Sequence, residues 1–160
     1  MKHRAITIRI AEYKQLDELS EEQANLVNRA IDSAKNAYAP YSDFRVGAAL
    51  ILANGEIVTG NNQENAAYPS GLCAERVAIF YAGANYPTIP VKMIAVTALK
   101  DGVLQEEPVS PCGGCRQVML EMENQGKTPM EVILYGTKKI QILKQATDLL
   151  PIPFSLETKE

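Results

Sequence analysis

The sequence has few of the features that mark several large protein classes. Its 160 residues include only three cysteines, an odd number, and one histidine. A small secreted disulfide scaffold normally carries an even number of cysteines, so this class is not expected. The apolar runs are all well short of the roughly 18 residues that a membrane-spanning helix needs, so no contact with a membrane is predicted.

The sequence also lacks an excess of positive charge. Sixteen basic and nineteen acidic residues give a net charge of −3. Proteins that bind nucleic acid usually carry a clustered basic excess, so no nucleic-acid partner is expected. The N-terminus has no long apolar stretch followed by a small-residue cleavage site, which predicts a cytoplasmic protein. The length fits one domain over residues 1–160, with residues 1–13 as an N-terminal extension.

Hydrophobic periodicity predicts the secondary structure. A cap signal at Ser20 starts an amphipathic helix that runs to about Tyr38, and Asn54-Gly55 joins two strands as a hairpin. The predicted strands are 6–10, 45–53, 56–61, 91–99 and 130–136, and further helices are predicted over 74–84 and 114–123. The tail from residue 138 is expected to hold a short strand and a helical turn before Pro151.

Alternating helices and apolar strands are typical of an α/β domain. The core order after the first strand is αββαβαβ. We therefore predict a three-layer α/β/α sandwich with helices on both faces of a central mixed sheet of about five strands.

All three cysteines fall in two short motifs, CAER at 73–76 and PCGGC at 111–115. Each motif is predicted at the N-terminus of a helix, where unpaired N–H groups and the helix dipole favour thiolates. The two-residue spacing of Cys112 and Cys115 lets one turn offer two sulfurs to one metal ion. Three thiolates aimed at one point would form a zinc site.

Three cysteines do not close a four-coordinate zinc site by themselves. Unless His3 or a carboxylate supplies the fourth ligand, one position stays open to water, which is the catalytic arrangement. Glu75 lies beside the ligand Cys73 and is the candidate proton carrier. Arg76 is the candidate that offsets the negative charge of the thiolates.

Simpler interpretations exist for each residue alone. The C-x-x-C pair could be a redox pair or part of a closed structural zinc site. Cys73 could be a small buried apolar residue, and Glu75 could be a solvated first-turn acid that favours the helix dipole. These simpler interpretations need a separate reason for each of the four residues, whereas one catalytic metal site explains them together.

The two motifs resemble those of the cytidine deaminase family, whose zinc signature is H/C-x-E followed by P-C-x-x-C. The resemblance extends to four longer stretches and covers most of the chain from Ala37 onward. These stretches are PYSDFRVGAAL (40–50), NQENAAYPSGLCAER (62–76), SPCGGCRQVMLE (110–121) and LLPIPFS (149–155). The family resemblance implies a cytidine deaminase-like fold.

The resemblance also implies roles for individual residues. Cys73, Cys112 and Cys115 would be the ligands of one Zn²⁺ per subunit, and Glu75 the general acid and base. Asn62 and Glu64 would bind the ribose hydroxyls. Arg76 would neutralise the charge of the thiolates, and Gln117 would lie just outside the metal ligands. The remaining substrate contacts implied are Phe44 and Phe154 at the ring and sugar, the Ala74 backbone at the base, and Ala66 and Tyr68.

By this resemblance the protein would hydrolyse cytidine and deoxycytidine to the uridine products and ammonia, in pyrimidine salvage. Short family members with three cysteines are homotetramers with shared active sites, and Ala66, Tyr68 and Phe154 lie in the stretches that would reach a neighbour. Two alternatives remain open. One is a deaminase of another aminopyrimidine nucleoside such as blasticidin S, and the other is an inactive binding module stabilised by zinc.

Overall fold

The computed structural model describes residues 1–156, so the last four residues of the predicted domain lie outside the described part. Within residues 1–156 there are three α-helices, which are α1 (Glu21–Lys35), α2 (Ala74–Asn85) and α3 (Gly113–Gly126). The strands of this part are β1 (Ile10–Tyr13), β2 (Phe44–Leu52), β3 (Ile57–Asn61), β4 (Val91–Lys100), β5 (Val103–Leu104), β6 (Glu131–Tyr135) and β7 (Ile140–Leu143). None of the described helices has the length and apolar character needed to cross a membrane.

Helix α1 begins where its cap signal predicts. Ser20 Oγ accepts a hydrogen bond from the Gln23 amide at 3.3 Å, and Gln23 Oε1 accepts one from the Ser20 amide at 3.0 Å. This reciprocal capping box satisfies two N–H groups that the helix leaves unpaired. The predicted end at Tyr38 is wrong, because the helix stops at Lys35. Tyr38 instead donates its backbone N–H to the carbonyl of Asn62 and forms an isolated bridge beside β3.

The strands form one mixed sheet in the order β1-β7-β6-β4-β2-β3, with β5 paired to β4. Strands β4 and β6 run parallel, and the other neighbouring pairs are antiparallel. The hairpin at Asn54-Gly55 is confirmed, since β2 and β3 pair antiparallel on either side of it. Gly55 adopts φ +89°, a conformation that costs glycine little because it has no Cβ.

The predicted number of strands is too low, since the described sheet has seven strands rather than about five. Strand β5 was not predicted, and β7 with the helical turn Ala146–Leu149 confirms the expectation for the tail. The strand predicted over 6–10 is also wrong, because residues 6–9 are outside any strand and pairing starts at Ile10. The reason is the length of the partner, since β7 offers only four residues to pair with β1.

The core consists of two apolar layers, one on each face of the sheet. Leu50 and Ile94 belong to the layer under α2 and α3, whereas the adjacent Ala49 and Ala95 belong to the layer under α1. Successive residues of a strand point to opposite faces, so a strand covered on both sides is apolar throughout. The predicted three-layer α/β/α architecture is confirmed.

Candidate active site

The two cysteine motifs lie at the starts of helices, as predicted. Cys73 is the N-cap residue of α2 and Cys112 is the N-cap residue of α3, while Cys115 lies in the first turn of α3. Neither N-cap sulfur accepts a capping hydrogen bond from a backbone N–H group of its own helix. The sulfurs therefore remain available for a ligand, in a region where the two helix dipoles favour negative charge.

The three sulfur atoms converge on one point. They lie within 4.8 Å of one another, with Cys73 Sγ 3.9 Å from Cys112 Sγ and Cys112 Sγ 3.5 Å from Cys115 Sγ. Thiolates bound tetrahedrally to zinc at about 2.3 Å lie roughly 3.8 Å apart, so these separations fit a zinc ion. His3 is not part of the group, which is the one set of three candidate ligand residues found within residues 1–156.

The cysteines are free and differ in their environments. Cys115 is buried, Cys73 is half-buried and Cys112 is exposed. A hydrogen bond with Cys115, together with one from Arg76, lowers the pKa of Cys73 to about 5. The same bond with Cys73, followed by burial, raises the pKa of Cys115. A thiolate is thus already favoured at Cys73, in the form that binds metal.

Arg76 lies one turn after Cys73 on α2. Its Nη2 donates to Cys73 Sγ at 3.6 Å. Its Nε is buried and has no hydrogen-bond partner among the described residues. The guanidinium is therefore placed to balance negative charge on the cysteine cluster.

Glu75, the second residue of α2, is buried. Its exposed fraction is 4%, so it is not the solvated first-turn acid that a glutamate at this position usually is. Burial raises the pKa of Glu75, and the negative charge of Cys73 raises it further. A carboxyl group with a raised pKa beside candidate metal ligands has the properties of a proton carrier.

Small residues set the distance between α2 and the sheet. A Cβ built on Gly60 of β3 would lie 2.5 Å from the carbonyl oxygen of Ala74 and 2.6 Å from the amide nitrogen of Ala78. These distances are far below normal contacts, so the backbones touch directly only because Gly60 has no side chain. The contact fixes the first turn of α2, which carries Glu75 and Arg76.

A cleft of about 730 Å³ opens beside the cysteines, a size typical of small-molecule sites. It is lined by Cys73, Cys112 and Glu75. The same cleft brings together most of the other residues predicted for the site, namely Phe44, Asn62, Glu64, Ala66, Tyr68 and Arg76.

Four predicted residues do not line this cleft, and one of them is Cys115, which is buried behind it. Ala74 is fully buried under β3, and the Phe154 side chain is 69% exposed on the surface of the chain. Gln117 lies on α3 two residues after Cys115, and its Nε2 donates to the Phe154 carbonyl at 2.9 Å. The contact of Phe154 with substrate therefore stays a prediction that needs a neighbouring subunit.

The structure adds two polar residues to the cleft that the sequence did not single out. The Glu64 carboxylate accepts hydrogen bonds from the backbone of Tyr41 and from the backbone and hydroxyl of Ser42. Both residues belong to the PYSDFRVGAAL stretch, whose resemblance to the family implies a substrate contact for Phe44 alone. The proline-containing turn before β2 was the available signal, but its distance from Glu64 in the sequence hides the contact.

The side chain of Asn62 is held by the backbone of β2. Its Oδ1 accepts from the Val46 amide at 2.7 Å, and its Nδ2 donates to the Phe44 carbonyl at 2.9 Å. The amide thus extends the sheet by one pair of hydrogen bonds at the edge of the cleft. It also fixes the backbone that presents the Phe44 ring.

Comparison with known proteins agrees with this site. The family model for the cytidine and deoxycytidylate deaminase zinc-binding region matches residues 20–129, which include both cysteine motifs. The chain belongs to this family. The matched region also contains Ser42, Phe44, Asn62 and Glu64, which line the cleft at the two ends of the β2–β3 hairpin.

Individual relatives match over most of their length. A cytidine deaminase from Sporosarcina psychrophila is 41% identical over 134 residues, which are 82% of this chain and 90% of the relative. A probable cytidine deaminase from Dictyostelium discoideum is 34% identical over 137 residues, or 86% of each chain. The crystal structure of a cytidine deaminase from Burkholderia pseudomallei aligns with a TM-score of 0.71 at 39% identity, covering 85% of this chain and 100% of that one.

Proposed function

We propose that this protein is a zinc-dependent deaminase that hydrolyses cytidine and deoxycytidine to uridine and deoxyuridine with release of ammonia, a step of pyrimidine salvage. One observation carries the proposal, which is the convergence of three cysteine sulfurs at a cleft that Cys73, Cys112 and the buried Glu75 line. A closed structural zinc site would not need a buried carboxyl group beside it. A redox pair would not need a third sulfur.

Cys73, Cys112 and Cys115 would hold one zinc ion per chain. Bound there, zinc would lower the pKa of a water molecule and supply a nucleophile near neutral pH. Three thiolates put much negative charge on the metal and weaken it as a Lewis acid. Arg76 at Cys73 and the N-termini of α2 and α3 offset part of that charge.

Glu75 would move the protons of the reaction. It accepts the proton that the attacking water gives up and delivers it to N3 of the pyrimidine as C4 is attacked. Glu75 would next take the proton of the new C4 hydroxyl and donate it to the amino group. The C4–N bond then breaks, the C4 carbonyl forms, and ammonia leaves. Its raised pKa suits a group that must both take and return a proton near neutral pH.

The other end of the cleft would bind the nucleoside sugar. Glu64 presents a carboxylate to the cleft, and hydroxyl groups are donors that it can accept. The Phe44 ring, at the start of β2, would pack against the base or sugar, and Asn62 holds the backbone of this strand. These features suit a free nucleoside.

We further propose a cytoplasmic homotetramer. Three unpaired cysteines suit a reducing compartment. The Tyr68 side chain is 90% exposed and Phe154 is 69% exposed in one chain, so both can enter a neighbour's site. Light scattering after size-exclusion chromatography would measure the mass, and a monomer with full activity would contradict shared active sites.

The direct test is ammonia release from cytidine by the zinc-loaded protein, with Glu75→Gln beside it. The wild type should turn over, and the variant should keep its fold and zinc but lose about 10²–10⁴-fold in kcat. Glu121→Gln, an exposed position on α3, is the matched control and should behave as wild type.

Two results would overturn the proposal. A folded, zinc-replete wild type that releases no ammonia from cytidine or deoxycytidine would exclude the assigned substrates, and blasticidin S would then be assayed. Near-normal kcat in Glu75→Gln would exclude the assigned proton carrier.

A further inference from the structure

Ser42 connects two sides of the proposed sugar site. Its hydroxyl Oγ lies 2.5 Å from Glu64 Oε1 and 3.0 Å from the backbone nitrogen of Phe44. Ser42 lines the same cleft as Glu64 and Phe44. One hydroxyl therefore joins the strand that carries the ring contact to the carboxylate that faces the sugar.

The direction of both hydrogen bonds is determined by chemistry. A backbone N–H can only donate, so Ser42 Oγ accepts from Phe44. An ionised carboxylate can only accept, so the single hydroxyl proton of Ser42 is donated to Glu64. This bond from Ser42 Oγ, followed by those from the backbone N–H groups of Tyr41 and Ser42, lowers the pKa of Glu64 and keeps the carboxylate ionised.

The same contacts use most of the acceptor sites on Glu64. Its Oε2 accepts from the Tyr41 amide at 2.9 Å and from the Ser42 amide at 3.4 Å, while Oε1 accepts from the Ser42 hydroxyl. A carboxylate has about four acceptor positions, so roughly one is left for a ligand. The carboxylate is held at both oxygens and can bind one further donor without turning.

The Ser42 turn is itself anchored. Lys100 Nζ, at the end of β4, donates to the Ser42 carbonyl at 2.5 Å, and Asp43 follows with φ +50°. A non-glycine residue rarely adopts this left-handed conformation, so the surrounding contacts hold the turn in place. The Ser42 side chain is therefore supported independently of any ligand.

We propose that Ser42 is a positioning residue for substrate specificity, which locks Glu64 as an acceptor for one hydroxyl of the nucleoside sugar. Through Glu64 it selects sugars that carry the donor hydroxyl over sugars that lack it. The inference rests on the proposed nucleoside deaminase function and assigns Ser42 no role in proton transfer at the base.

The test compares kcat/KM for cytidine, deoxycytidine and 2′,3′-dideoxycytidine in wild type and Ser42→Ala. Loss of one hydrogen bond to a charged group is worth about tenfold in affinity. Ser42→Ala should therefore lower kcat/KM for cytidine and deoxycytidine by roughly tenfold, mainly through KM, and change it for dideoxycytidine by less than about threefold. Equal effects on cytidine and deoxycytidine would identify the 3′-hydroxyl as the donor.

Three further variants separate positioning from a general structural effect. Ser42→Thr keeps the hydroxyl and should restore most of the discrimination between cytidine and dideoxycytidine. In a Glu64→Gln background, Ser42→Ala should have little additional effect on this ratio, because both residues act on the same contact. Should Ser42→Ala not fold, Ser42→Cys keeps the side-chain size with a weaker donor and should give intermediate discrimination.

The possible failures are distinguishable. A folded wild type that turns over no nucleoside would contradict the proposed function, independently of the results for the Ser42 variants. A wild type that deaminates cytidine, with folded Ser42 variants whose kcat/KM falls equally for all three nucleosides or does not fall, would overturn the role of Ser42 alone.

Discussion

Gly60 of β3 lies directly against Ala74, the first residue of α2, so closely that a Cβ on the glycine would sit 2.5 Å from the alanine carbonyl oxygen. Both residues belong to elements that lead into the cleft, because β3 precedes the lining residues Asn62 and Glu64, and α2 carries Glu75. Their contact sets the depth of Glu75 in the cleft. We therefore expect a side chain at residue 60 to change both the stability of the fold and the rate of the proposed reaction.

Replacing Gly60 with Ala should push α2 away from the sheet. We expect a loss of about 1–3 kcal/mol in the free energy of unfolding, from overpacking against backbone atoms, and a lower kcat because Glu75 moves with the helix. Denaturant unfolding and steady-state kinetics would measure the two effects. Gly83→Ala within α2 is the control, since its Cβ would lie at an ordinary 3.5 Å from Met122 Cε. That control should be neutral or more stable by up to about 1 kcal/mol, and wild-type behaviour of Gly60→Ala would contradict the tight contact.

Removal of any one cysteine should empty the metal site. Replacing Cys73, Cys112 or Cys115 with Ser should lower zinc below one equivalent per chain and abolish turnover. The proposed site has only three protein ligands, so the loss of one thiolate leaves too few to hold the ion. Atomic absorption on the purified variants measures zinc content. Glu75→Gln, which alters a neighbour of Cys73 that is not a ligand, should retain zinc. Full zinc content in a serine variant would show that its cysteine is not a ligand.

Arg76→Ala should weaken zinc retention. Arg76 donates to Cys73 Sγ, and removing a partner of a metal ligand typically costs about 10–100-fold in metal affinity. Competition with a chelator would give the zinc affinity. Arg76→Lys keeps the charge but not the planar fork, so its affinity should lie between those of the alanine variant and wild type. An unchanged zinc affinity and kcat in Arg76→Ala would exclude the charge-balancing role.

A buried glutamate on α3 holds the segment that precedes Phe154. The Glu123 carboxylate accepts from the backbone of Met130 and Ala146 and from both the amide and hydroxyl of Thr147. Its exposed fraction is only 9%. It therefore ties α3 to the start of β6 and to the turn after β7.

Glu123→Ala should destabilise the fold by at least about 2 kcal/mol, because each buried donor left unpaired costs about 1–3 kcal/mol. Thermal and denaturant unfolding would measure the change. The exposed Glu121→Ala on the same helix should stay within about 0.5 kcal/mol of wild type. Equal stability of the two variants would show that the Glu123 contacts contribute little.

Local pattern was enough to predict much of the fold. The cap at Ser20, the Asn54-Gly55 turn and the placement of Cys73 and Cys112 at helix starts all depend on residues close together in sequence. The three-layer arrangement followed from the apolar character of the central strands. Strand ends were predicted poorly at the sheet edge, because the extent of β1 depends on its partner β7, which lies far along the chain.

By itself, the sequence determined the chemistry proposed for this protein, because the candidate ligand and proton-carrier residues sit in short motifs whose helix-start geometry is local. Only the tertiary structure decided what supports that chemistry. Ser42 meets Glu64 across 22 positions of the chain, and Glu123 meets Ala146 across 23. Such contacts depend on how whole elements pack, since each polar group is hydrogen-bonded to water until the fold buries it beside a partner that is distant in sequence.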